Sequence, residues 1–230
     1  MMRPVDRLFA ALDHPTEAAA LAQVDRLGSA VERYKVGLEL YIATGRRVID
    51  QLRTRGKRVF LDLKLHDIPE TVLRATRTAT QDGVDLLTVH ASGGRVMLER
   101  AVEGAAGQAR ILAVTVLTSL DVDDLQADGN PLSVEELVVR RALLAEAAGC
   151  DGVIASPREV EAIRRAVKPS FLVVTPGVRP GGSARVDDQK RIATATEARA
   201  AGADAVVVGR PIRDAADPLA VVAGLLKELQ

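Results

Sequence analysis

Residues 60–71 read Phe-Leu-Asp-Leu-Lys-Leu-His-Asp-Ile-Pro-Glu-Thr. Successive side chains of a β-strand point to opposite faces. Leu61, Leu63 and Leu65 therefore share one face, and Phe60, Asp62 and Lys64 share the other. The leucine face needs a hydrophobic cover, so the charged face must look into a cavity, an interface or water. On an exposed strand the Asp62–Lys64 pair would be a surface salt bridge of little worth. On a parallel strand, covered on both faces, charges sit together or serve a site. Such a pair can move a proton and set a strong local field. Asp67 is open to two readings. It stands just before Pro69, which suits the first position of a helix, and its charge would favour that helix start.

Short runs rich in Val, Ile and Leu recur on both sides of this stretch. They predict strands at 7–12, 33–37, 58–64, 85–90, 110–117, 151–155, 171–175 and 204–208. Segments with helical spacing lie between them, and several end in glycine before the next strand, as in ATQDGVD, EAAGCDG and RAAGAD. Strands alternating with helices give a parallel sheet, and eight of them close a (β/α)8 TIM barrel. An open doubly wound sheet is the alternative. The barrel is favoured because polar residues stand at the C-terminal ends of nearly every strand, among them Asp13, Lys35, His90, Thr118, Ser156, Arg179 and Arg210. That end carries the sites of such barrels. No linker divides the chain, which reads as one α/β domain over residues 1–230.

The balance of 31 basic and 31 acidic residues argues against a nucleic-acid surface, and 2% aromatics leave no stacking platform for single strands. No apolar run approaches the roughly 20 residues that span a bilayer. With one cysteine and no apolar leader, a cytoplasmic protein without membrane contact is expected. His14, His66 and His90 lack zinc-type spacing, so no metal is expected. Nucleotide-cofactor fingerprints are absent too.

An anion site is expected on the same C-terminal face, in the loops after the last two strands. VVVGRPI (206–212) places Gly209 and Arg210 between the last strand and a short helix. Glycine allows close backbone approach, and arginine adds a bidentate donor. TPGVRP (175–180) supplies Arg179 from the preceding strand. In barrels these two loops often hold phosphate. The Gly- and Pro-rich stretch 176–189 has the composition of a mobile lid.

DLKLHDIPET (62–71) resembles the signature of the orotidine 5′-phosphate decarboxylase family. The resemblance continues in order through FAALD (9–13), YKVGLEL (34–40), TVHASGG (88–94), LAVTVLTS (112–119), GVIASPRE (152–159), VTPGVRP (174–180), DQKR (188–191) and VVGRPIRDAADP (207–218). It implies decarboxylation of orotidine 5′-phosphate to UMP without a cofactor. Lys64 then resembles the lysine that protonates C6, and Asp62 the aspartate facing the substrate carboxylate. Asp67 resembles the aspartate that reaches the partner's site in a homodimer. Lys35 matches the lysine tying Asp62 to the ribose, Asp13 the ribose-hydroxyl ligand, and Thr118 a pyrimidine contact. Arg179, Gln189, Gly209 and Arg210 match the groups around the phosphate and lid, and Thr71 joins the substrate-binding set. Magnesium-dependent sugar-phosphate decarboxylases and aldolases share Asp-x-Lys-x-x-Asp but carry a carboxylate at the end of strand two. Lys35 stands there and would repel a cation. A non-catalytic phosphate-binding barrel is the second alternative.

Overall fold

The computed structural model describes residues 3–179 and 193–230. Eight parallel strands close a barrel: β1 (Leu8–Ala11), β2 (Arg33–Gly37), β3 (Arg58–Leu65), β4 (Leu86–His90), β5 (Arg110–Val114), β6 (Gly152–Ile154), β7 (Leu172–Thr175) and β10 (Ala205–Val208). Closure is made where β1 pairs with β10, Leu8 opposite Val206 and Ala10 opposite Val208. Two further strands, β8 (Val178–Arg179) and β9 (Ala193–Thr194), pair with each other beside the barrel. The eight predicted strands are the eight staves. The closed barrel follows from right-handed crossovers returning each strand beside its predecessor, with a helix on the outside.

Strand alternation sorts the apolar side chains into two layers. Phe9, Phe60, Leu86, Leu112, Val114 and Ile154 fill the barrel interior, with Phe9 and Phe60 edge to face at 5.4 Å. Leu8, Tyr34, Val36, Val59, Leu61, Leu87 and Ile111 point outward and pack under the helices. With few aromatics, this outer layer is built from aliphatic residues and small alanines such as Ala101, Ala142 and Ala145, all fully buried.

The helices stop where their glycines say they should. After Pro69–Gln81, Gly83 takes φ +76°; after Val134–Ala147, Gly149 takes φ +84°; after Ala195–Ala200, Gly202 takes φ +101°. Glycine pays no Cβ penalty in this left-handed region. Two residues further, an aspartate opens the next segment. Asp85, Asp151 and Asp204 each accept a hydrogen bond, at 2.8 Å, from the backbone N–H of Val59, Ile111 and Val173 on the preceding barrel strand. The three carboxylates satisfy strand N–H groups at the barrel floor that no neighbouring carbonyl takes up. Among the described residues no helix is long and apolar enough to cross a membrane.

Candidate active site

The decisive local feature is an irregularity in β3. Leu61 pairs with Leu87 on β4 and Leu65 pairs with Val89, so Asp62, Leu63 and Lys64 face the single residue Thr88. Unbroken alternation across 60–65 is therefore corrected: the strand bulges, and Lys64 takes φ +52°. A side chain in that region costs on the order of 1–3 kcal/mol, and such strain gathers at functional sites. The bulge keeps Asp62 and Lys64 aimed into the barrel mouth with Phe60, while Leu63 and Leu65 still pack against the outer core.

The mouth holds a cavity of about 240 Å³. Asp13, Lys35, Asp62, Lys64, Thr118, Arg179, Gly209 and Arg210 all line it. Eight residues expected from distant parts of the chain thus converge on one space. Val114, Val116, Ile154 and Val207 make its apolar wall.

Charges alternate along one side. The Lys64 ammonium donates to Asp62 Oδ2 at 2.8 Å. The Lys35 ammonium donates to Asp13 Oδ1 at 2.9 Å and lies 3.8 Å from Asp62 Oδ2. Thr88 Oγ1 donates to the other oxygen, Asp62 Oδ1, at 2.8 Å. Burial alone would raise the pKa of Asp62. The charges of Lys35 and Lys64, with the hydrogen bonds from Lys64 and Thr88, outweigh it and hold the carboxyl below its ordinary value. Asp62 is therefore an anion at neutral pH, clamped between two cations.

Two glycines make room for this network. A Cβ on Gly37 would come within 2.8 Å of Lys35 Nζ and 3.2 Å of Asp13 Oδ1, and one on Gly209 within 3.1 Å of Asp13 Oδ2. Gly209 also caps the short helix Arg210–Arg213.

Asp67 and Thr71 are not brought into this cavity. Both are exposed at the start of the helix Pro69–Gln81, where Asp67 Oδ1 accepts from the Ile68 N–H at 2.7 Å. Gln189 and most of the expected lid lie outside the described residues. His66 and His90 stack at 5.4 Å, beside the lysine. Burial lowers the pKa of His90 to about 4, helped by His66, Arg141 and Lys64, so its ring is neutral at physiological pH. His14 bonds Gln23, and Ser156 caps the turn at Pro157–Glu159. Cys150 is a free thiol buried in the core. Thr88, Gly37 and the apolar wall carry no role in the sequence reading. A hydroxyl inside the apolar run Leu-Leu-Thr-Val-His is the signal that marks Thr88.

Fold and site together define a (β/α)8 barrel enzyme with a lysine–aspartate network at the C-terminal mouth and arginines across from it. Residues 6–225 match the model of the Orotidine 5'-phosphate decarboxylase / HUMPS family, and the chain belongs to that family. It is 52% identical over 228 residues to the orotidine 5'-phosphate decarboxylase of Anaeromyxobacter sp. (strain K), covering 97% of this chain and 100% of that one. Identity to the enzyme of the same name from Moorella thermoacetica is 49%, over 100% of this chain and 94% of the relative. The crystal structure of orotidine 5'-phosphate decarboxylase from Lactobacillus acidophilus superimposes with a TM-score of 0.86 at 37% identity, covering 97% and 98% of the two chains.

Proposed function

We propose that this chain decarboxylates orotidine 5′-phosphate to UMP, the closing step of pyrimidine nucleotide synthesis. The observation that carries the reading is the position of Lys35. Its ammonium sits between Asp13 and Asp62, where the magnesium-dependent members of the barrel group need a carboxylate. A fixed cation there opposes a divalent metal and favours a site that works with its own charges.

The chemistry follows from the charge order. The C6–carboxylate bond breaks heterolytically, carbon dioxide leaves, and the electron pair stays on C6 in the ring plane. That anion gains little from the ring's π system. Lys64, held 2.8 Å from Asp62, is the cation that stabilises it and delivers its proton to C6. Preorganised electrostatics of this kind is commonly the largest catalytic contribution. Asp62 faces the departing carboxylate, Lys35 and Asp13 hold the ribose hydroxyls, and Thr118 contacts the base. Arg179, Gly209 and Arg210 receive the phosphate, with Gln189 from the lid. Binding energy from that remote phosphate goes into closure and positioning at C6.

The whole barrel, residues 1–230, acts as one domain in the cytoplasm, as half of a homodimer. Three observations support the dimer. Asp67 and Thr71 lie outside their own chain's cavity. Ile68, beside Asp67, is 69% exposed. Leu38, Ile42 and Val96, 55–76% exposed, follow the C-terminal ends of β2 and β4, the strands on either side of β3. Large exposed apolar groups gathered on one side suit a partner surface. Asp67 and Thr71 would then complete the site of the neighbouring copy.

The test is an absorbance assay with orotidine 5′-phosphate in EDTA. Conversion to UMP at an undiminished rate is expected. Turnover that requires added magnesium would move the chain to the metal-dependent branch, and binding without turnover would make it a phosphate-binding barrel.

A further inference from the structure

Thr88 sits on β4 with its side chain directed into the barrel and is fully buried. It is the single residue opposite the three-residue bulge of β3. In a regular parallel ladder the Lys64 N–H would donate to a carbonyl of the neighbouring strand. Here it donates to Thr88 Oγ1 at 2.9 Å. The same hydroxyl donates its own proton to Asp62 Oδ1 at 2.8 Å. Both hydrogen-bonding functions of one side chain are thus directed at the two ends of Asp62-Leu63-Lys64.

A buried threonine in a barrel strand is ordinarily a β-branched filler, and valine would fill the space equally well. Filling does not explain the two bonds. The Lys64 backbone is held at φ +52°, and such a conformation persists only where its surroundings over-determine it. Asp62 Oδ2 is engaged by Lys64 and approached by Lys35. Without a partner on Oδ1 the carboxylate would be free to rotate between the two cations.

We infer that Thr88 is a positioning residue for the reaction proposed above: its hydroxyl replaces the missing ladder acceptor at Lys64 and fixes the rotation of the Asp62 carboxylate. It touches no substrate atom in this role and acts through the pair it holds.

The experiment compares Thr88→Val and Thr88→Ser with the wild-type chain, using orotidine 5′-phosphate as substrate and melting as the control for folding. Loss of preorganisation without loss of contacts to substrate should appear in kcat. Thr88→Val is expected to lose on the order of 10²-fold in kcat, the scale of a displaced catalytic group, with KM changed by less than about 3-fold. Thr88→Ser keeps the hydroxyl and should stay within about 5-fold of wild type in kcat. A Thr88→Val enzyme with wild-type kcat would overturn the role of Thr88, while wild-type turnover in the same assay leaves the proposed function standing. Loss through KM alone would also overturn it. Should Thr88→Val fail to fold, the serine variant decides: a folded Thr88→Ser protein with kcat reduced as deeply as expected for valine contradicts the inference. No turnover by the wild-type chain would remove the proposed function and this role with it.

Discussion

Lys35 shows how the place of a site charge depends on a neighbour that carries none as well as on those that do. Its ammonium has Asp13 on one side, Asp62 on another, and the open Cα of Gly37 on a third. The space over Gly37 is space for the lysine tip. Gly37→Ala would push a methyl to 2.8 Å from Lys35 Nζ. The far end of a lysine can yield, so the fold should lose less than about 1 kcal/mol. The ammonium would leave its position between the carboxylates, and turnover should fall on the order of 10²-fold. Thermal unfolding and kcat/KM measured on the same preparation check this. Equal damage to both would mean that Gly37 serves the fold and not the site. Gly37 stands inside the recognisable stretch YKVGLEL, but nothing in the letters shows a Cβ aimed at a lysine tip. Only the fold brings the two together.

At the scale of elements, the strands are legible because apolar runs and helix-ending glycines mark both of their ends. β3 is the instructive departure. Phe-Leu-Asp-Leu-Lys-Leu alternates without a flaw in sequence, yet the strand bulges between Leu61 and Leu65. A lysine at positive φ has no sequence signature, because the strain is held by Thr88 from another strand. The two-residue strands β8 and β9 escaped for a simpler reason: they are too short to show a period. The aspartates at the barrel floor are a repeated device that the strands' own patterning hides. Asp151 closes the Ile111 N–H at 2.8 Å. Asp151→Ala would leave that donor without its carboxylate partner and should destabilise the fold by about 1–3 kcal/mol. Denaturant unfolding measures it. Activity per folded molecule should be unchanged, since this end of the barrel is opposite the cavity.

In the whole molecule, the charges of residues 62–67 divide between two places. Asp62 and Lys64 line the cavity of their own chain, and Asp67 is turned out beside exposed Ile68. The cavity's own residues were legible because each ends a recognisable strand. A place for Asp67 in a partner's site is implied by family resemblance alone, since a carboxylate before Ile-Pro also reads as an ordinary helix start. The most direct measurement mixes purified Lys64→Ala and Asp67→Ala proteins, allows subunits to exchange, and follows decarboxylation of orotidine 5′-phosphate. Each variant alone should be folded and nearly inactive. After exchange, half the dimers hold one intact site in two, so the mixture should recover about a quarter of wild-type specific activity. Recovery would join Lys64 of one copy to Asp67 of the other in a single working site. No recovery after verified exchange, or full turnover by Lys64→Ala alone, would contradict the account.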